Sequence, residues 1–196
     1  MKHIFKLFLI VFAAQFISSC NYLPGNNKPE NLSVEDDFSP VEINHEYSID
    51  IPKYIKPATD LNDVASLQYQ NIFKETYIII IDELKSEVDT AFRTAGVYND
   101  SISMVKNYRN VQLQLLGEKI NVSNEPEPKA LQINGLDAES VEMEGTVSGI
   151  TEPVAYWLTF VEGKDKVYMI MTWTLLKSKD KYSDTFEKMA QSFKML

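Results

Sequence analysis

Tyr77-Ile78-Ile79-Ile80-Ile81 is apolar throughout and β-branched from Ile78 onward. Successive side chains of a strand point to opposite faces, so such a run must be covered on both sides. It predicts a central strand with a layer packed above it and another below. Just upstream, Ala65, Leu67 and Tyr69 alternate with Ser66, Gln68 and Gln70, the period-two pattern of a half-buried strand. Asn71 to Thr76, between the two, suits a hairpin turn. Further upstream, Tyr47, Ile49 and Ile51 share one face of Glu46–Ile51, and Pro52 ends that strand.

Downstream the period changes. Val97, Ser101, Met104, Tyr108, Val111 and Leu115 recur at steps of three and four, which predicts an amphipathic helix capped by Asn99 or Asp100 and stopped at Gly117. Residues 86–96 leave open a short helix, and Asn121 to Lys129 reads as a loop around Pro126 and Pro128. In 139–148, Val141, Met143 and Val147 lie on one face, with Glu142, Glu144 and Thr146 on the other. Val154–Val161 and Val167–Leu175 are apolar runs joined by Glu162-Gly163-Lys164-Asp165, a hairpin turn. Tyr182, Phe186, Met189 and Phe193 predict a closing helix, with Asp180 or Ser183 as its cap. Short turns between consecutive strands imply antiparallel pairing, and amphipathic helices must lie on the sheet faces. The expected fold is α+β, an antiparallel β-sheet sandwiched between helices.

The N-terminal stretch is of another kind. Met1 to Lys6 is short and basic, Leu7–Ile17 is apolar apart from Gln15, and Ser18-Ser19-Cys20 follows. That is the layout of a secretory signal. The apolar run is too short for a spanning helix, which needs about 20 residues. Ile17-Ser18-Ser19-Cys20 resembles the lipobox of bacterial lipoproteins, in which the cysteine is lipidated and becomes the new N-terminus. Cys20 is the only cysteine, so the domain has no intramolecular disulfide and must rest on its core. Residues 21–40, rich in Pro and Asn, read as a tether. The expected organisation is a lipoprotein signal peptide over 1–19, lipidated Cys20 and a flexible tether over 20–43, and one globular domain over 44–196.

Charge narrows the partners. Residues 1–19 hold Lys2 and Lys6 and no acid, so the net charge of −9 becomes −11 on their removal. Such a chain repels phosphate backbones and anionic lipid surfaces, which argues against nucleic acid as a partner.

The domain resembles the PsbP/Mog1-like superfamily, which includes the DcrB-like lipoproteins. The matching pieces are Tyr47-Ser48-Ile49-Asp50-Ile51-Pro52, Leu67-Gln68-Tyr69 with Ile78–Ile81, Tyr168-Met169-Ile170-Met171, and Met189-Ala190-Gln191-Ser192-Phe193. The resemblance implies an α/β/α sandwich and an accessory or binding role. It transfers no partner-binding residues.

Candidate chemistry is sparse. His45 is the only histidine beyond residue 19, and His45-Glu46 lacks the second histidine of a metalloprotease helix, because Ile49 stands there. No zinc ligand set and no metal or cofactor motif is expected. Gly145-Thr146-Val147-Ser148-Gly149 has the wrong spacing for a nucleophile elbow. Glu142 and Glu144 share a strand face and read as a solvated, edge-protecting pair, not as catalytic carboxylates. Asp82-Glu83 marks the central strand leaving the core, and Glu35-Asp36-Asp37 reads as solvated acids, not a calcium loop. Tyr156, Trp157, Tyr168 and Trp173 read as core, with an aromatic ligand cleft as the alternative. Asp89-Thr90-Ala91 and Asp100-Ser101-Ile102 resemble an envelope O-glycosylation signal.

The expected function is therefore a non-enzymatic envelope lipoprotein with no catalytic residues, acting as an accessory or protein-interaction module. A small-ligand-binding lipoprotein with an aromatic cleft is the alternative, and a hydrolase the third choice. The expected partners are the membrane, through lipid on Cys20, and an envelope protein. Asn21 after the cysteine, where Asp would signal inner-membrane retention, points to the outer membrane facing the periplasm.

Overall fold

The computed structural model describes residues 28–124 and 127–196. The proposed signal peptide, Cys20 and the first part of the tether lie outside the described residues. In chain order the elements are α1 (Val34–Asp37), β1 (Phe38–Ile43), β2 (Tyr47–Pro52), β3 (Lys56–Pro57), β4 (Leu67–Asn71) and β5 (Thr76–Leu84). Next come α2 (Lys85–Thr94), α3 (Met104–Gly117), β6 (Ile120–Val122), β7 (Lys129–Ile133) and β8 (Leu136–Val147). The chain closes with β9 (Val154–Glu162), β10 (Lys166–Leu175), α4 (Lys179–Gln191) and β11 (Lys194–Met195).

The main sheet runs β3-β4-β5-β10-β9-β8-β6, with β7 also on β8, and every pair is antiparallel. The isoleucine run is central, as its two-sided pattern requires. Ile78 and Ile80 face one core with Trp157, Tyr168 and Ile170, while Ile79 and Ile81 face the other with Leu158, Phe160 and Met169. Each such buried side chain contributes about 1.5–3 kcal/mol.

The first core is closed by α4 and a second, three-stranded sheet, β1-β2-β11. Phe193 explains why the chain does not end with its last helix. Its ring stacks 5.2 Å from that of Tyr47 and lies 5.0 Å from that of Tyr168. Ser192 Oγ accepts from the Asp50 amide at 2.8 Å and donates to the Met189 carbonyl at 2.6 Å. These contacts swing Lys194 and Met195 into register with Ser48 and Tyr47. The Ser-Phe ending is thus a latch between α4 and β2.

The second core is closed by α2 and α3. Asn107 ties the approach to α3: its Oδ1 accepts from the Asn99 amide at 2.8 Å and its Nδ2 donates to the Asn99 carbonyl at 2.9 Å. Arg109 of α3 forms an ion pair with the buried Glu139 of β8. Glu83, at the end of β5, accepts from the Tyr108 hydroxyl at 2.6 Å and from Gln112 Nε2 at 3.3 Å. Burial pushes the Glu83 carboxyl above its ordinary range; the Tyr108 hydrogen bond pulls it down, and Glu87 and Asp82 push it up further.

Several expectations are corrected. The tether does not extend to residue 43: α1 and β1 occupy 34–43, and Phe38 is buried because its strand pairs with β2. The helix expected from Val97 starts at Met104, since 97–103 form the loop that Asn107 holds. Its buried face is Val105, Tyr108 and Leu116, rotated from the expected stripe. Residues 86–96 do carry a helix, α2. The loop read from Asn121 begins inside β6. Beyond it, β7 forms a hairpin with β8 through Asn134-Gly135, whose φ angles of 49° and 83° suit a two-residue turn. Gly145 interrupts the apolar face of β8 because a Cβ there would lie 2.5 Å from Ile120 Cγ2 and 2.7 Å from the Asn121 carbonyl oxygen.

Two outcomes follow. Phe193→Ala is expected to cost about 3–5 kcal/mol in urea denaturation, and Ser192→Ala about 1 kcal/mol. For Glu83, a carboxyl raised in the fold binds its proton more tightly folded than unfolded. Its contribution is therefore most favourable at low pH and is lost as pH rises from 4.5 through the folded value. Glu83→Gln keeps an acceptor for Tyr108 without the charge. It should melt above the parent at pH 7, with the difference closing near pH 4; a pH-independent difference would refute this account.

Candidate functional site

Between α4 and the main sheet lies a cleft of about 340 Å³. Register builds its floor. Ser140 of β8 pairs with Thr159 of β9, which pairs with Ile170 of β10. One step along, Glu142 pairs with Trp157, which pairs with Thr172. Because strand side chains alternate, all six point to the same face. Phe186, Glu187, Ala190 and Gln191 of α4 form one wall, and Lys129, Ala130 and Leu131 of β7 the other.

Trp157 is the distinctive group. It is 7% exposed, its ring packs edge-on to Phe186 at 5.0 Å, and its indole Nε1 is buried without a protein acceptor. A buried donor left unpaired costs about 1–3 kcal/mol. The N–H is closed off from water, so an acceptor in the cleft reaches it only with a shift of the indole or of α4.

The nearby charges are committed to one another. Lys179 Nζ lies 3.0 Å from Glu142 and 2.8 Å from Glu144. The hydrogen bond to Glu144 leads in raising the Lys179 ammonium above its ordinary range, with Glu142 adding to it against the cost of burial. Glu142 and Glu144 are thus ion-paired to the start of α4. They do not protect an edge, because β8 lies between β9 and the β6 and β7 strands. The arrangement can bind and orient a molecule.

The other candidates are scattered. Of the four aromatics considered for one cleft, Trp157 and Tyr168 face the first core, and Tyr156 and Trp173 the second. Only Trp157 reaches the cleft wall, and Trp173 stacks on Tyr77 at 5.1 Å instead. His45 is exposed in the β1–β2 turn. The adjacent Glu46 reaches Lys166 at the start of β10, whereas the β8–β9 turn holding Ser148 lies beyond its far end. With ten residues of strand between those ends, about 30 Å separates them, so no triad joins His45 to Ser148. Asp82 is paired with Lys166 at 2.7 Å. Glu35, Asp36 and Asp37 lie in α1, where Asp37 accepts from the Ser33 amide at 2.9 Å. No cluster of three or more His, Cys, Asp or Glu suited to a metal occurs among the described residues. Thr90 and Ser101 are exposed, and the Thr90 hydroxyl donates to the Ser86 carbonyl at 2.8 Å.

Sequence reasoning missed Ser140, Thr159 and Thr172 as a polar stripe. The available signal was three hydroxyl residues inside strands otherwise apolar enough to be buried. It also missed Lys129, which was read as the end of the loop from Asn121, whereas it is the first residue of β7.

No protein-family model matches the chain, and no curated protein matches it by sequence. Solved structures do. The solution structure of cyanobacterial PsbP (CyanoP) from Synechocystis sp. PCC 6803 superposes with a TM-score of 0.53 at 8% identity, covering 82% of this chain and 93% of that one. A protein of unknown function from Pseudomonas aeruginosa gives 0.45 at 12% identity, over 79% and 94% of the two chains. LpqN of Mycobacterium tuberculosis, involved in cell envelope biogenesis, gives 0.41 at 12% identity, over 87% and 99%. Among the described residues no helix is long and apolar enough to cross a membrane. With its antiparallel sheet held between α4 on one face and α2 and α3 on the other, the chain shares the fold of cyanobacterial PsbP.

Proposed function

We propose that this chain is a non-catalytic accessory module of the bacterial cell envelope, held by lipid on Cys20 at the outer membrane facing the periplasm, and that it works by binding an envelope protein. The observation that carries the binding role is the cleft under α4, floored by Trp157 with its unpaired indole N–H. A side chain of the partner carrying an acceptor on an apolar body would fit it: Phe186 supplies the apolar wall and Trp157 the donor. The lipobox-like Ile17-Ser18-Ser19-Cys20 supports the anchor, and Asn21 supports the outer membrane. Two or more acyl chains hold a protein stably to a bilayer, whereas one binds marginally.

The cleft volume supports a second reading, a free small ligand. About 340 Å³ falls at the small end of the range for small-molecule sites. Such a ligand would present its acceptor to the same indole.

Three experiments test these readings. Cys20→Ser is expected to lose the lipid mass and to leave the membrane fraction; an unchanged mass and fractionation would refute the anchor. Ala190→Trp, which fills the cleft from α4, should abolish partner capture in an in-cell crosslinking and pull-down experiment while the melting temperature holds. Trp157→Phe should weaken capture about tenfold by removing one hydrogen bond. Native mass spectrometry of the full chain distinguishes the second reading by a bound small molecule that Ala190→Trp expels. Capture unchanged by both substitutions would overturn the cleft as the binding site.

A further inference from the structure

The β4–β5 turn presents two large apolar side chains to water. Ile72 is 56% exposed and Phe73 94%, the highest value among the exposed large apolar residues described. The turn is rigid. Asn71 Oδ1 accepts from the Phe73 amide at 3.1 Å and the Lys74 amide at 2.9 Å, and Asn71 Nδ2 donates to the Tyr54 carbonyl at 2.7 Å. Lys74 Nζ lies 3.7 Å above the Tyr54 ring and donates to Glu30 at 2.8 Å. Glu30 also accepts from the Tyr54 hydroxyl at 2.7 Å. Phe73 is therefore held outward at the apex.

We propose that Ile72 and Phe73 enter the surface of the bilayer that anchors the chain, so that the domain stands on two points. The inference rests on the lipid reading of Cys20. Its argument is where the anchor chain arrives. Glu30 is bound to Lys74, at the base of the apex, and Cys20 lies ten residues before it. A fully extended stretch of that length spans at most about 35 Å, so the lipid surface lies within that distance of the turn. An anchored domain meets the bilayer at a high effective concentration, and a small apolar contact then suffices to orient it. The attraction is apolar, since the Lys74 charge beside the apex is already paired with Glu30. The arrangement fixes which way the α4 cleft faces relative to the membrane.

The test uses the full, lipidated chain with photoreactive benzoylphenylalanine in place of Phe73 or, separately, of Leu84. Leu84 is 40% exposed and ends the same strand, about 26 Å away along β5. On irradiation in cells, position 73 should give a phospholipid adduct by mass at least tenfold above position 84. A protein adduct at 73, or equal lipid labelling at both positions, overturns the proposal. The intact mass of the same samples reports lipid on Cys20. Lipid present with no adduct at 73 refutes the apex contact alone, whereas no lipid on Cys20 refutes the anchor reading and the apex proposal with it.

Discussion

The constraint on which this structure depends is a strip of sheet that is apolar on both faces. Apart from their ends and the hydroxyls of Thr159, Thr172 and Thr174, the side chains of β5, β10 and β9 are apolar on both faces. Both must be covered, and the rest of the molecule is the means of covering them. α2 and α3 close one side. The other is wider than α4 alone can shield, and the small β1-β2-β11 sheet completes it.

That asymmetry creates the cleft. On the α2–α3 side, polar groups at the border are tied down: Glu83 by Tyr108, Glu139 by Arg109, Asn99 by Asn107. On the α4 side, the helix packs over β2 and over parts of β9 and β10, leaving the region toward β7 uncovered. The cleft is the unfilled remainder, and Trp157 sits where the covering layer stops. Lys179, gripping Glu142 and Glu144, fixes the start of the helix that forms its wall.

Much of the sheet was legible because two-sided and one-sided strands differ in pattern. Ile78–Ile81, the Trp-bearing hairpin and the alternation of Tyr47, Ile49 and Ile51 are readable from residue type and spacing, and all form antiparallel strands as expected. Elements made by pairing instead of pattern were not legible. β1, β7 and β11 carry weak alternation and exist because β2 and β8 offer open hydrogen-bonding edges. Asn134-Gly135 was a readable turn signal for β7, whereas nothing in Lys194 and Met195 announces a strand. The start of α3 was misread for a similar reason: Val97 and Ser101 continue the helical spacing, but Asn107 binds the backbone of Asn99 in a loop and the helix begins only at Met104.

The sequence by itself determined that this chain has a disulfide-free, two-sided apolar sheet requiring layers above and below, preceded by a lipobox-like segment. Those properties follow from residue type and period alone. Only the tertiary structure decided which polar groups have partners and where Glu30 is held against the domain. Whether the Trp157 indole meets an acceptor depends on what α4 brings over it. Whether Phe73 is buried depends on how Asn71, Tyr54 and Glu30 hold its turn. Residues far apart in the chain set both outcomes, and no local pattern encodes them.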